Sequence, residues 1–89
     1  MTRQTKTLWV TIPHEGTFDE CWEVHNVPWT LWMTMPRVMS YLGHENILVS
    51  DRAPRHIPSQ SIAVFDWPTL YQSAVFVLLA RLAGGRDER

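Results

Sequence analysis

The chain has 89 residues, of which 45% are hydrophobic and 19% charged, proportions that exclude a disordered chain and suit one domain with one modest core. Eight Lys+Arg against nine Asp+Glu leave a net charge of -1, which excludes a strongly basic chain held to nucleic acid or an anionic membrane by overall charge. A single cysteine, Cys21, rules out an intramolecular disulfide scaffold and favours a reducing, cytoplasmic setting.

From the N-terminus, Met1 to Lys6 runs into Leu8-Trp9-Val10 and then Pro13, too soon for the apolar region of an export signal. Lys6 to Ile12 alternates, with Leu8, Val10 and Ile12 on one face and Thr7, Trp9 and Thr11 on the other, which predicts a half-buried strand ended by Pro13 and Gly16. Thr17-Phe18-Asp19-Glu20 fits a capping box and predicts a short helix that places Phe18, Cys21, Trp22 and His25 on one face and stops at Pro28. A strand from Glu20 to Val27 is the rival, set aside because alternation would put a charged and a polar residue beside Cys21. Trp29 to Thr34 alternates again and reads as a strand, although Pro28 also suits a helix start. Pro36 to Leu42 predicts a brief helix with Val38, Met39 and Leu42 inward, closed by a left-handed Gly43.

Asn46 to Ser50 and Ser61 to Phe65 are short apolar runs with β-branched residues, read as two strands flanking a Pro-bearing surface loop from Asp51 to Ser61. The last element is a helix with Asp66 as N-cap, Pro68 in its first turn, Phe65 stapled onto Leu70 and Gly84-Gly85 as its stop, roughly 25 Å long at 1.5 Å per residue. Its inward stripe is expected to be Tyr71, Ala74, Val75, Leu78, Leu79 and Leu82. The opposite side, Thr69, Gln72, Ser73, Phe76, Ala80 and Ala83, carries no charge and is expected to touch something. Within it, the longest apolar run, Ala74 to Ala80, is far short of the about 20 residues of a spanning helix, so no membrane segment is expected. Together these elements predict an α+β fold: a single domain over 1–85, with a three- or four-stranded sheet packed against the long C-terminal helix, one or two short helices, and a frayed tail at 86–89.

Catalytic signatures fail one by one. His14-Glu15 and His44-Glu45 do not start a zinc-protease helix, because Phe18 and Leu48 stand where the second His belongs. No glycine-rich loop precedes a helix, and no nucleophile elbow frames a serine. Cys21 and His25 share a face if the helix forms, and a thiol or metal site there would need His14, Glu15 or Asp19 to complete it. The expectation is therefore a protein that is not an enzyme, with no catalytic residue, metal or cofactor.

Two surface features exceed composition. Between Lys6 and Arg37 there is no Lys or Arg, while Glu15, Asp19, Glu20 and Glu23 form a one-sign patch that would attract a basic groove, since spaced carboxylates stand in for phosphates. The chain also carries five Trp: Trp22 and Trp32 are expected in the core, Trp9 and Trp29 partly exposed as binding anchors. Arg52, Arg55 and His56, joined by Arg37, make a smaller basic patch suited to phosphates. The leading expectation is a protein-binding module that blocks a basic partner surface with an acidic helix and exposed Trp, or that pairs as a homodimer through the Phe76 face. A nucleic-acid contact module using Arg52, Arg55 and His56 is the alternative, and a thiol or metal site at Cys21 and His25 the second. In general character such a small single domain resembles the inhibitors that phages and mobile elements direct at host machinery, anti-CRISPR proteins among them, which implies action by occupying a host component's surface.

Overall fold

The computed structural model describes residues 4–16, 18–58 and 61–87. Four strands, β1 (Thr5–Ile12), β2 (Glu20–Pro28), β3 (Leu48–Ser50) and β4 (Ile62–Asp66), form one sheet in the order β3-β1-β2-β4. β1 runs antiparallel to both β2 and β3, and β2 runs parallel to β4. A 3-10 helix (Trp29–Thr34) leads into α1 (Met35–Tyr41), and α2 (Trp67–Asp87) closes the described chain. The expected α+β architecture, a sheet against a long C-terminal helix with a shorter helix beside it, is the observed one.

One sheet face carries the core. The alternation of β1 buries Leu8, Val10 and Ile12 against Trp22 and Val24 of β2, and Met35, Val38 and Met39 of α1 join Trp67, Leu70 and Ala74 of α2 above them. Cys21 and Ile57 are buried as well but lie outside this cluster. By strand alternation Cys21 faces away from Trp22. Because β3 and β4 run the same way at opposite edges, residues 51–61 must carry the chain across about 14 Å, three strand spacings. Ile57, in that crossover, is the residue buried there away from the helix-side core.

The segment expected to be a helix up to Pro28 is instead β2, and the capping-box residue Thr17 lies outside the described residues. Cross-strand burial explains the outcome: a capping box contributes about 1 kcal/mol, whereas β2 buries Cys21 on one face and Trp22 and Val24 on the other at about 1.5–3 kcal/mol for each large side chain. A bulge then rephases the strand. Lys6 pairs with Val27 and Leu8 with Val24, so β2 carries one residue more than β1 across that interval. Asn26 takes φ 62°, Val27 is buried instead, and the Asn26 Nδ2 donates to Asp66 Oδ1 at 2.6 Å. Asn26→Ala should therefore cost about 1–2 kcal/mol through left-handed strain and the lost bond. Asn26→Gly, which loses only the bond, should cost less; equal losses in urea denaturation would refute the strain argument.

Trp29 to Thr34, expected as a strand, is the 3-10 helix. The strand it follows, β2, is already paired on both sides, with β1 and β4, and Pro28 (φ -58°, ψ 131°) turns the chain out. The stripe assigned to α2 is also corrected. Ala74 is buried, but its buried companions are Trp67 and Leu70, while Tyr71, Leu79 and Leu82 are exposed. A 21-residue helix is about 31 Å long and overruns a five-residue strand of about 17 Å. Glycine tolerates the helix rather than ending it: α2 continues through Gly84 to Asp87, and Glu88 and Arg89 of the expected tail lie outside the described residues.

Candidate interaction site

The most concentrated group of exposed apolar side chains is the turn after β2. Its backbone is tied at the start, where the Trp29 N-H donates to the Gln4 carbonyl at 3.0 Å. At the end, the Thr34 hydroxyl donates to the Leu31 carbonyl at 2.6 Å. None of its six residues is buried, and Trp29, Leu31, Trp32 and Met33 are 51%, 39%, 43% and 72% exposed. From Asn26 to Pro36 there is no ionisable side chain. Beside the turn runs a groove lined by Lys6, Leu8, Trp29, Trp32, Val49 and Asp51. Lys6 Nζ lies 5.6 Å from the Trp29 ring centroid and 3.8 Å from the Asp51 carboxylate, so one ammonium caps both an indole and an acid.

Trp32, expected in the core, therefore belongs to the surface, while Trp22 is buried as expected. Trp9 is half-buried but does not join this group. It pairs with Glu23 and Ser50 across the sheet and, by alternation, faces opposite to Leu8, which lines the groove.

The four carboxylates do not form an acidic helix. Glu20 and Glu23 lie on β2 with side chains on opposite faces. Glu15 and Asp19 are exposed in the connection before it. Glu20 accepts from Trp22 Nε1 at 2.6 Å and pairs with His14 Nε2 at 2.9 Å. The Trp22 bond first, then the His14 bond, holds the Glu20 carboxyl below its ordinary range. Glu23 pairs with His25 Nε2 at 2.9 Å.

A carboxylate whose pKa is lower folded than unfolded stabilises the fold above its unfolded pKa, and that contribution vanishes as pH falls through the folded value. Trp22→Phe, which keeps a ring in the core but removes the donor, should move the Glu20 pKa back up and flatten the acid limb of the stability profile. Carboxyl NMR titration and urea unfolding at a series of acid pH values measure both; an unmoved Glu20 pKa would mean that the indole is not its principal partner.

Strand geometry dissolves the thiol site. Cys21 and His25 are four residues apart on β2, about 13 Å at strand rise, and the His25 imidazole is occupied by Glu23 and by Thr7, whose hydroxyl lies 3.3 Å from Nδ1. Burial raises the Cys21 thiol above its ordinary pKa, with the Glu23 charge adding to it and a Thr11 hydrogen bond opposing, so it stays a thiol at neutral pH. Among the described residues no three His, Cys, Asp or Glu side chains come together as a metal site.

The basic residues fall on separate elements. Arg52, Arg55 and His56 are exposed in the β3-β4 crossover, where the Arg52 N-H donates to Ser50 Oγ at 3.0 Å. Arg37 stands on α1, lining a cleft with Tyr41 and Tyr71. Phe76 is 75% exposed on α2. Among the described residues, no helix is long and apolar enough to cross a membrane. Leu31 and Met33 escaped sequence reasoning; the signal that marks them is the uncharged run bracketed by Pro28 and Pro36. No family model, no curated protein and no solved structure matches this chain.

Proposed function

We propose that this protein is a non-enzymatic protein-binding module anchored by the Trp29–Met33 turn. The observation that carries the reading is four large apolar side chains within five residues, all exposed together, with the Lys6-Asp51 pair at their rim. Contiguous exposed apolar surface rimmed by polar groups marks interaction sites, and Trp dominates binding hot spots. Glu15 and Asp19, exposed before the opposite end of β2, supply attraction to a basic partner. They are separated from the turn by the nine residues of β2, about 26 Å of extended strand, a span comparable with that of a standard interface of about 800 Å² per partner. In the narrower form, an inhibitor of the anti-CRISPR kind, the indoles hold the module on a host component while its body covers that component's basic surface.

The test is affinity capture from a nuclease-treated lysate of the source cell or its host, with wild type, Trp29→Ala/Trp32→Ala and Arg52→Glu/Arg55→Glu as baits. One stoichiometric protein held by wild type and by the arginine variant, and lost by the tryptophan variant, is the expected result. Capture indifferent to the tryptophans, or dependent on the arginines instead, would overturn this reading; the second outcome would favour the basic loop and a nucleic-acid role.

A further inference from the structure

The groove beside the Trp29–Met33 turn already holds a cation. Its two indoles, Trp29 and Trp32, are three residues apart in a 3-10 helix, the spacing that eclipses side chains on one side of such a helix. Leu8 and Val49 line it as well, and Asp51, the residue after β3, is the one carboxylate among its lining residues. Against these groups the Lys6 ammonium makes two incomplete contacts. It lies 3.8 Å from the Asp51 oxygen, beyond the about 2.7–2.9 Å of a charge-assisted hydrogen bond. It also lies 5.6 Å from the Trp29 ring centroid, near the outer limit of about 6 Å for cation–π attraction. Among the described residues no cation lies over the Trp32 ring, and the Asp51 carboxylate is 62% exposed.

We infer that this groove seats an arginine side chain of the partner, and that Lys6 is a placeholder which that arginine displaces. The inference rests on the binding role proposed for the turn and names the group that enters it. Charge complementarity selects a cation, because the faces of the indoles and the Asp51 carboxylate attract one together. An anion would meet that carboxylate with only Lys6 to receive it. Shape and hydration then select arginine over lysine. A guanidinium is planar, so it stacks on an indole while its edge gives two parallel N-H bonds to a carboxylate, and it is less strongly hydrated than the ammonium it replaces. The Lys6 ammonium, a compact point charge, offers neither the plane nor the fork. Its release is cheap, because an ion pair as exposed as this one contributes little. The groove, at about 440 Å³, is within the range of ligand sites, about 300–1,000 Å³.

The test titrates Nα-acetyl-arginine amide into the full chain, with the neutral isostere Nα-acetyl-citrulline amide as control, and follows the indole N-H signals by proton–nitrogen NMR. All five Trp report in one spectrum: Trp22 and Trp67 are buried, and Trp9 faces away from the groove. Arginine should give saturable shifts confined to Trp29 and Trp32, with a Kd of millimolar order, and citrulline none. Lys6→Ala should tighten the binding by about threefold or more, since it removes the competing cation. Asp51→Asn should weaken it by about fivefold or more, since it removes the charge that receives the guanidinium. Circular dichroism should be unchanged in both variants. Equal shifts with citrulline, shifts shared by Trp9, binding that is unchanged or weaker in Lys6→Ala, or binding indifferent to Asp51→Asn would each overturn the inference. Capture from lysate reads the role of the turn and this titration reads the group it takes. Tryptophan-dependent capture without an arginine response therefore overturns the inference and leaves the binding role standing, while an arginine response with capture indifferent to the tryptophans overturns the role instead.

Discussion

Trp67→Ala is expected to lower the free energy of unfolding by about 3–5 kcal/mol, the usual cost of removing a buried indole. Trp67 is 4% exposed and is the first residue of α2, immediately after β4. Its ring stands 5.7 Å from that of Tyr71, and it belongs to the same cluster as Val24, Met35 and Leu70. The side chain thus belongs to the core that the sheet, α1 and α2 share. A chain of this size has only about 4–13 kcal/mol to lose, and at about 4–8 °C per kcal/mol the melting temperature should fall by some 12–40 °C or the protein should fail to fold at 37 °C. Phe76→Ala, on the outward face of the same helix, should shift it by a few degrees at most. A Trp67 variant that melted within a few degrees of wild type would mean that α2 is not seated on the sheet by this residue.

The contrast between these two positions also explains which parts of the fold are legible in the chain. β1 can be read because its apolar period matches a single buried face: Leu8, Val10 and Ile12 go inward and nothing competes. The start of α2 is legible for a local reason, since an Asp followed two residues later by Pro favours a helix start, and α2 begins between them at Trp67. Its end is not, because two glycines permit a stop without requiring one, and because the inward stripe depends on how far the sheet extends beneath it. β2 is the clearest failure. Its acids and its capping-box pattern are helical signals of about 1 kcal/mol, and they lose to burial on both faces and to pairing with β1 and β4, neither of which is written in residues 17–28 themselves. Glu20 and Glu23 are tolerable there because His14, Trp22 and His25 receive them. That same pairing engages Glu20 and Glu23 within the fold and leaves Glu15 and Asp19 exposed before β2. Trp32 is exposed for a related reason: a strand there would turn every second residue inward, whereas the 3-10 helix after Pro28 turns it out.

Under the binding role proposed for the Trp29–Met33 turn, replacing Trp29 and Trp32 together by alanine should have the largest effect on affinity. Buried aromatic anchors at interfaces contribute at least about 2 kcal/mol each when truncated, so the pair should weaken the complex by about 4 kcal/mol, or roughly 1,000-fold. Most of that loss should appear in the dissociation rate, because the indoles act after encounter, once water has been expelled from the turn. Glu15→Lys/Asp19→Lys should do the reverse, slowing association several-fold at low salt, with the difference fading as ionic strength rises and the Debye length falls below about 10 Å. The two kinds of variant therefore separate in a single surface-binding experiment run at two salt concentrations. Folding should survive the double tryptophan change, since both side chains are about half exposed and surface substitutions of that kind cost little. Trp29→Phe is the sharper single test. It keeps an aromatic face beneath Lys6, which lies 5.6 Å above the indole, but removes the N-H and part of the area. A variant that retains near-native affinity would assign the anchor to ring area and apolar contact, whereas a loss as large as that of Trp29→Ala would assign it to a hydrogen bond donated by the indole to the partner.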